Sequence, residues 1–291
     1  MKKALLLFCV AFFFSCSKNT FTEVQRYKYN KDEKTYFIGR TTGKKVMLLD
    51  ENLKVILPEY HSIGSICEEA VWVKKDKKWG MVTFKNRVII PFEADKETGC
   101  FKKGVITYTI NGRRGAADNK GKKIIPFDYN NVYINDKAER IIAHKENATD
   151  LYDLKGNIIS TGEYEYIGFF INGISIIRKN GKLGAVNYEM EVVCEPIYDN
   201  IGKFETDDKI AWVVLNQKIG YVDENFKVLI PIEYDNGTVF ANGMVRVNKN
   251  GETLYLNRNG KQIFPSEKEI ESYEKTLENI QRSYDMLQFS S

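Results

Sequence analysis

A segment that contains a glycine and, at a nearly constant distance after it, a proline recurs along the chain. The copies read KKWGMVTFKNRVIIPF at 77–92, NGRRGAADNKGKKIIPFDY at 111–129, NGKLGAVNYEMEVVCEPIYD at 180–199 and NQKIGYVDENFKVLIPIEYD at 216–235. The recurring residues are Gly80, Gly115, Gly184 and Gly220, with Pro91, Pro126, Pro196 and Pro231. Pro58 and Pro265 extend the series at its two ends, and a degenerate copy at 149–167 fills the gap between Pro126 and Pro196. The period of about 33 to 35 residues predicts seven tandem units of a repeat architecture.

Each unit has the pattern of short antiparallel strands. Apolar and β-branched runs such as VITYTI at 105–110 precede a polar turn, which is Asn-Gly at 111–112, 180–181 and 250–251. Asn-Gly accommodates the positive φ angles of a type I′ turn, and β-branched residues favour a pleated surface. We therefore predict an all-β fold. The glycine is interpreted as marking the start of the second strand, and the proline as ending the third, because proline cannot donate to a ladder.

Seven short antiparallel sheets favour a seven-bladed β-propeller-like arrangement over an open β-superhelix, although about 35 residues is short for a four-stranded blade. The last unit stops at Pro265, while a strand-like segment at 23–30 precedes the first unit. We expect this segment to complete the last sheet. The repeat domain is placed at 27–265.

Residues 266–291 are predicted to form an amphipathic helix. Ser266 and Glu269 have the spacing of a capping box. The apolar stripe consists of Ile270, Tyr273, Leu277, Ile280, Tyr284 and Leu287. We expect this stripe to pack on the repeats and to cover a sheet edge or face, and the alternative is a helix that binds a partner.

The units resemble the WG repeat, also called the KWG repeat, of bacterial surface and exported proteins. The resemblance is carried by KKWGMV with VIIPFEAD, KLGAV with PIYDNI and KIGYV with IPIEYDN, and it covers roughly residues 45–265. The tryptophan of the motif is Trp79, and other units replace it with Arg114, Leu183 or Ile219; Asp150 and Leu254 replace the glycine. Such variation favours a packing or edge position for Trp79. The family is defined by its repeats and has no general activity, so the resemblance implies binding or scaffolding.

The N-terminal segment 1–16, MKKALLLFCVAFFFSC, resembles a bacterial lipoprotein signal. Its apolar run of about 11 residues fits a signal peptide and is shorter than the roughly 20 residues that span a bilayer. We predict a signal peptide at 1–15, lipidation of Cys16 and a linker at 16–26, and the alternative is an ordinary cleaved signal. The protein would then be exported and held on the membrane of the bacterial envelope by its lipid. Without Lys2 and Lys3 the formal charge falls from +4 to about +2, which does not indicate a nucleic-acid partner.

Three cysteines lie in the repeats. Cys194 stands two residues before its proline, where other units have isoleucine or leucine, so we interpret it as an inert core residue. Cys67 and Cys100 each lie nine residues after their prolines, at equivalent positions of adjacent units. An exported location permits a disulfide between them, but we expect two free thiols. A bridge would favour the open array, because its rungs bring equivalent Cα atoms within about 7 Å more easily than splayed blades do.

No motif indicates a catalytic, cofactor or metal site. His61 and His144 are the only histidines, and no zinc-binding pattern contains them. Asp199 and Asp235, with Asp128 nearby in register, recur with the repeat. We expect them to accept hydrogen bonds from turn amides and not to form a catalytic pair. Among the aromatic residues, Trp72 and Trp212 fall on first strands and are expected to pack between units.

These features together predict a non-catalytic binding or scaffold module for a protein, peptide or glycan at the cell envelope. One alternative is a carbohydrate-active or other hydrolase on a β-propeller scaffold. Two or more acids within about 10 Å of each other in one deep pocket would favour it. The other alternative is a purely structural spacer.

Overall fold

The computed structural model describes residues 21–28, 35–204 and 206–288. The predicted signal peptide and Cys16 lie outside these residues. Within them, the chain forms six four-stranded sheets and one three-stranded sheet, all antiparallel, and then a helix. The prediction of an all-β fold of seven tandem repeats with a C-terminal helix is confirmed.

Each sheet is one repeat, and its strands are neighbours in chain order. Repeat 1 contains β1 (Phe21–Lys28), β2 (Thr35–Thr41), β3 (Val46–Leu49) and β4 (Val55–Tyr60). Repeat 2 contains β5 (Ser62–Cys67), β6 (Ala70–Lys75), β7 (Lys78–Thr83) and β8 (Val88–Ala94). Repeat 3 has three strands, β9 (Val105–Ile110), β10 (Arg113–Asp118) and β11 (Lys123–Tyr129). Repeat 4 contains β12 (Asn131–Asn135), β13 (Arg140–His144), β14 (Thr149–Asp153) and β15 (Ile158–Tyr164).

The last three repeats begin with a strand of two residues. Repeat 5 contains β16 (Tyr166–Ile167), β17 (Ile174–Lys179), β18 (Lys182–Asn187) and β19 (Val192–Tyr198). Repeat 6 contains β20 (Asn200–Ile201), β21 (Ile210–Leu215), β22 (Lys218–Asp223) and β23 (Val228–Tyr234). Repeat 7 contains β24 (Asn236–Gly237), β25 (Met244–Lys249), β26 (Glu252–Asn257) and β27 (Gln262–Ile263), and α1 (Glu267–Gln288) follows.

The chain divides into two compact units. Of the described residues, the first comprises 21–28, 35–146 and 150–159, and the second comprises 147–149, 160–204 and 206–288. Repeats 1 to 3 with β12 and β13 lie in the first unit, and repeats 5 to 7 with α1 lie in the second. The β-propeller-like arrangement and the open β-superhelix stay predictions.

Adjacent repeats bury their apolar faces against each other within each unit. In the first unit, Trp72 and Met81 of repeat 2 pack in one cluster with Ile106 and Tyr108 of repeat 3. In the second unit, residues of repeat 5 such as Cys194 share a cluster with residues of repeat 6 such as Val213. A repeat therefore obtains its core from its neighbours, as tandem repeat proteins require.

The prolines of repeats 1, 2, 3, 5 and 6 lie inside the last strand of their sheets, which corrects the prediction that they end a strand. In repeat 5, Leu183 pairs with Tyr198 and Ala185 pairs with Cys194, so residues 195–197 bulge opposite a single residue. Repeats 2, 3 and 6 have the same bulge. The last strand is an edge strand, and a bulged residue has no ladder partner, so the missing N–H of proline is tolerated there.

The recurrent glycines lie opposite these bulges, in the interior of the preceding strand and not at its start. A Cβ atom on Gly80 would lie 2.8 Å from the carbonyl oxygen of Ile90, and one on Gly220 would lie 2.7 Å from the Cα of Ile232. The close approach of the bulge therefore requires a residue without a side chain.

The N-terminal strand pairs with β2 in the first sheet. The hypothesis that the segment at 23–30 completes the last sheet is therefore wrong. Residues 21–26, which the sequence assigns to the linker, form the first part of β1. The side chains of residues 22–26 are exposed on this edge strand, so the segment lacks the apolar alternation that would have predicted its pairing.

The C-terminal helix begins with the predicted capping box. The N–H of Ser266 donates to the Glu269 carboxylate at 2.7 Å, and the N–H of Glu269 donates to Ser266 Oγ at 3.4 Å. Among the described residues, no helix combines the length and the hydropathy that crossing a membrane would need.

Candidate binding surface

The acid that follows the last strand of a repeat joins that repeat to the next one. Asp199 accepts a hydrogen bond from Lys182 of repeat 5 and another, at 2.7 Å, from the N–H of Asn216 in the turn between β21 and β22 of repeat 6. Its pKa is lowered, first by the hydrogen bond from Lys182 and then by that of the backbone amide. The expectation that this acid accepts a hydrogen bond from a turn amide is confirmed.

The same junction recurs with different acceptors. Asp235 accepts from the N–H of Asn250 at 2.7 Å and from Lys218. At three further junctions the turn N–H is accepted by Asp95 from Gly112 at 2.8 Å, by Glu165 from Gly181 at 3.0 Å and by His61, through Nδ1, from Asp76 at 2.9 Å. The recurrent polar position is therefore occupied by groups whose shared task is to hold consecutive repeats together.

Asp128 does not belong to this series, which corrects its predicted register. The equivalent residue is Asn130, whose side-chain oxygen accepts a hydrogen bond from Arg113. Asp128 instead lies 3.7 Å from Lys145.

A buried acid replaces the glycine in repeat 4. Asp150 accepts a hydrogen bond from the hydroxyl of Tyr129 at 2.6 Å, and Lys145 lies 3.3 Å from the same carboxylate oxygen. The hydroxyl groups of Tyr129 and Tyr152 share a further hydrogen bond, and Lys145 lies 4.7 Å from the ring centroid of Tyr129. Burial, followed by the bonds to Asp150 and Tyr152, raises the pKa of Tyr129.

This cluster is a closed polar network. Lys145 contacts two acids, Asp128 and Asp150, but Asp150 is almost fully buried and its Oδ2 is already engaged by two neighbours. A carboxylate in this state balances the buried tyrosine hydroxyls and the lysine charge, and it is not presented to a substrate.

No group of three or more His, Cys, Asp or Glu side chains is placed to hold a metal ion in the part of the chain that the structure describes. His144 lies at the end of β13 with its ring 5.8 Å from that of Tyr133, and burial lowers its pKa.

Cys67 and Cys100 form a disulfide, with their Cα atoms 5.2 Å apart. The expectation of two free thiols is wrong. Repeat 3 lacks the first of the four strands, and Cys100 lies in the segment that precedes β9, beside the end of β5. Because an irregular segment carries Cys100, the bridge does not discriminate between an open array and splayed blades.

Cys194 is a buried core residue, as interpreted from the sequence, and burial raises the pKa of its thiol to about 11. It pairs with Ala185 as Ile90 pairs with Met81 and Ile230 with Tyr221. Aligning the repeats by their prolines assigned other residues as the equivalents of Cys194. The reason is that Pro196 lies one position later in its bulge than Pro91 and Pro231 do.

The three tryptophans have packing roles. Trp72 is fully buried between repeats 2 and 3, and its indole N–H donates to the carbonyl oxygen of Gly99 at 3.1 Å. Trp212 is half-buried at the edge of a cluster formed by repeats 6 and 7. Trp79 is also half-buried, with Lys74 5.9 Å from its ring centroid.

The helix α1 packs on the loop between the first two strands of repeat 7. We call residues 238–243 the docking loop. The Tyr273 hydroxyl donates to the carbonyl oxygen of Val239 at 2.8 Å, and Tyr273 and Leu277 pack with Ala241 and Met244. The expectation that the apolar stripe packs on the repeats is confirmed for Tyr273 and Leu277, while the side chains of Tyr284 and Leu287 lie outside those that the structure describes.

Polar contacts flank this apolar anchor. The Asn242 side-chain amide donates to Thr276 Oγ1 at 3.1 Å, and Arg246 forms an ion pair with Glu274. The interface therefore combines a buried aromatic residue, a leucine one turn later and charged groups at the border.

The equivalent loop of repeat 5, residues 168–173, has two exposed apolar side chains, although its Phe170 is buried; we call it the open loop. Phe169 is 48% exposed and Ile171 is 70% exposed, whereas Ala241, the counterpart of Ile171, is 1% exposed. Sequence reasoning missed this loop, although the shared Phe-x-Asn-Gly sequence at 170–173 and 240–243 could have indicated it.

Comparisons with known proteins give the following similarities. No curated protein matches the sequence. PorZ, a surface component of the type IX secretion system of Porphyromonas gingivalis, is 10% identical with a TM-score of 0.28; the match covers 86% of this chain and 39% of PorZ. A eukaryotic initiation factor is 9% identical with a TM-score of 0.32, over 86% of this chain and 89% of that one. Kluyveromyces lactis Hsv2 is 11% identical with a TM-score of 0.30, over 77% of this chain and 79% of that one.

The chain thus spans 39% of the length of PorZ. At the level of the repeat, the resemblance found in the sequence is confirmed for four segments: residues 47–79, 151–182, 184–218 and 219–252 match the family described as WG containing repeat.

Proposed function

We propose that this protein is an exported, lipid-anchored repeat module that binds a protein or peptide at the bacterial envelope without catalysing a reaction. The observation that carries the proposal is the exposure of Phe169 and Ile171 on one loop of repeat 5. Large apolar side chains grouped on a surface are typical of a site that a partner covers. Ile171 favours a protein or peptide over a glycan, because an aliphatic side chain offers a sugar neither a stacking ring nor a hydrogen bond.

Two features support export. The segment 1–16 resembles a lipoprotein signal. The disulfide between Cys67 and Cys100 is the second feature, because disulfides persist mainly in oxidising compartments. The membrane partner follows from lipidation of Cys16.

The polar residues of the repeat give the hydrolase alternative little support. Asp199 and Asp235, the junction acids, accept hydrogen bonds from backbone amides of turns, and Asp150 is buried against Tyr129 and Lys145. A purely structural spacer would need only the hydrogen bonds that join consecutive repeats, and it would not need exposed apolar side chains on one loop.

Anchoring is tested by separating envelope from soluble fractions of cells that express the full chain or its Cys16→Ala variant. We expect the full chain in the envelope fraction and the variant released from it. Equal retention of both proteins would contradict lipidation.

Binding is tested by crosslinking the anchored protein in intact cells and purifying it. We expect at least one protein to be recovered reproducibly. A purification that yields no reproducible partner would favour the spacer, and hydrolysis of polysaccharide that is lost in Asp150→Asn would favour the hydrolase.

A further inference from the structure

We propose that a row of cationic and apolar side chains on repeats 1 to 4 binds the anionic surface of a lipid membrane. The side chains lie on or beside the turns that join the last two strands of these repeats, at 50–54, 84–87, 118–122 and 153–157. All four turns belong to the first compact unit. Their cations, which we call the basic row, are Lys54, Lys85, Arg87, Lys120, Lys122 and Lys155.

The turns of consecutive repeats lie side by side. The hydroxyl of Tyr60, at the end of repeat 1, donates to the side-chain oxygen of Asn86 in the turn of repeat 2 at 2.6 Å. In the turn of repeat 3, a Cβ atom on Gly121 would lie 1.9 Å from the carbonyl oxygen of Ile89, and Gly156 approaches the last strand of repeat 3 in the same way. Each turn therefore lies on the strand that follows the preceding turn. Cations that recur at intervals of 33 residues in the sequence are brought to one surface.

The cations of the basic row are exposed, and within the described part of the chain none of them forms an ion pair or donates a side-chain hydrogen bond. The acids of these turns are Glu51 and three aspartates, Asp50, Asp118 and Asp153, whose carboxylates accept backbone N–H groups of their own turns. The four turns have an excess of two positive charges. The equivalent turns of repeats 5 to 7 together have an excess of one negative charge. The basic row therefore concentrates positive potential that suits an anionic partner.

Exposed apolar side chains accompany these cations. They are Leu53, Val55, Val88 and Ile158, of which Val88 is 49% exposed and Ile158 is 62% exposed. Aliphatic side chains beside cations suit a bilayer, because the apolar groups enter the interfacial region while the cations contact anionic headgroups. Single-stranded nucleic acid would instead be bound by cations together with aromatic rings that stack on its bases. The combination favours a membrane surface over a soluble anionic polymer.

The position of the predicted lipid supports the same partner, and this step rests on the lipidation proposed above. Cys16 precedes Phe21, the first residue of β1, by five residues, which span at most about 18 Å. A lipid on Cys16 would therefore hold repeat 1 close to the membrane. A lipid chain and a cationic surface together anchor a protein more stably than either does alone. The basic row by itself binds reversibly, so the Cys16→Ala variant is still released during fractionation.

The test uses the full chain with Cys16→Ala, so that no lipid contributes to binding. Cosedimentation measures its affinity for vesicles of phosphatidylcholine with and without phosphatidylglycerol. We expect tighter binding to the anionic vesicles, and we expect it to weaken as salt screens the charges. The double variant Lys85→Glu, Arg87→Glu should lose at least about tenfold in affinity for the anionic vesicles, because each cation near such a surface contributes a factor of about five.

The matched control is the double variant Lys44→Glu, Lys77→Glu, which changes the net charge equally. These exposed lysines lie in the turns between β2 and β3 and between β6 and β7, at the opposite end of the strands. The control should bind as the parent protein does. Ile158→Ser should weaken binding to the anionic vesicles at least about threefold, since it removes apolar surface from the interface. All of these positions are exposed, so every variant should melt as the parent does.

Three results would overturn the assignment. Equal affinity for the two kinds of vesicle would exclude recognition of anionic lipid. Equal losses in the two double variants would show that net charge, and not the basic row, determines binding. If Ile158→Ser binds as tightly as the parent, charge alone is recognised, and the surface would be reassigned to a soluble anionic polymer.

The failure of this inference is distinguishable from that of the proposed function. The vesicle experiment contains no lipidated protein, so its result does not depend on whether Cys16 is lipidated in cells. Crosslinking in cells tests a protein partner and does not use the basic row. Either experiment can therefore fail while the conclusion of the other stands.

Discussion

Gly184 in β18 lies against the bulge that contains Pro196 in β19. A Cβ atom on Gly184 would lie 2.8 Å from the Cα of Pro196 and 2.5 Å from the carbonyl oxygen of Cys194. Repeats 1 and 7 lack the glycine, and neither of them has a three-residue bulge opposite that position. Met47 lies opposite only two bulged residues, because Val46 pairs with Tyr60 and Leu48 with Leu57. Leu254 meets no bulge, since β27 ends at Ile263. In repeats 2, 3, 5 and 6 the glycine therefore accompanies the three-residue bulge.

We expect Gly184→Ala to lower the free energy of unfolding by about 1–3 kcal/mol, because the added methyl group overpacks a site bounded by backbone atoms. Denaturant unfolding measures this change. Gly99→Ala is the matched control, since a Cβ atom on Gly99 has no heavy atom within 4 Å. It should change the stability by no more than about 0.5 kcal/mol. Equal effects of the two substitutions would show that the approach of the bulge does not require glycine.

The repeat period and the Asn-Gly turns predicted the number of sheets and their antiparallel order, and the capping box with its apolar stripe predicted the C-terminal helix, because these are local signals. The bulge was not predictable. The spacing from glycine to proline is one position longer in the copy with Gly184 than in the other three, so aligning the prolines shifted Cys194 by one position. A bulge changes which residues pair without changing the composition of the strand.

The junction acids were predictable because Asp199 and Asp235 recur beside a turn. The polar network around Asp150 and the site covered by α1 were not, since they depend on contacts between distant segments. An apolar stripe on a helix predicts that one face is buried, but it does not specify the surface that buries it. The disulfide was missed for a similar reason, because the position of Cys100 depends on the irregular segment before β9.

The junction acids should make stability depend on pH. Hydrogen bonds from Lys182 and the N–H of Asn216 lower the pKa of Asp199 in the folded protein, while the unfolded value is about 3.9. The contribution of Asp199 is therefore complete above about pH 3.9 and is lost as the pH falls through the lowered folded pKa.

We expect Asp199→Asn to melt at a lower temperature than the wild type at pH 7, and the difference to shrink as the pH falls below about 3.9. The control is Asp207→Asn, a change at an exposed acid in the loop of the next repeat. Its melting temperature should equal that of the wild type at pH 7 and below about pH 3.9. A difference that persists unchanged in acid would mean that the charge of Asp199 does not stabilise the junction.

The disulfide should stabilise repeats 2 and 3. Cys67 and Cys100 are 33 residues apart, and closing a loop of this size contributes about 2–4 kcal/mol to stability in general. We expect the double variant Cys67→Ser, Cys100→Ser to unfold at a lower urea concentration than the oxidised wild type. Reduction should destabilise the wild type and leave the double variant unchanged. If reduction shifts both proteins equally, its effect does not arise from this bridge.

The side chain of Tyr273 should determine whether α1 stays on repeat 7. It is fully buried, and its hydroxyl donates to the carbonyl oxygen of Val239. Removing a buried aromatic side chain costs about 3–5 kcal/mol, so we expect Tyr273→Ala to release α1 before the repeats unfold. Limited proteolysis should then cleave the helix while circular dichroism retains the β signal. Lys275→Ala, on the exposed side of the same helix, should resist cleavage as the wild type does. Equal protection of α1 in Tyr273→Ala and in the wild type would show that contacts other than this anchor hold the helix.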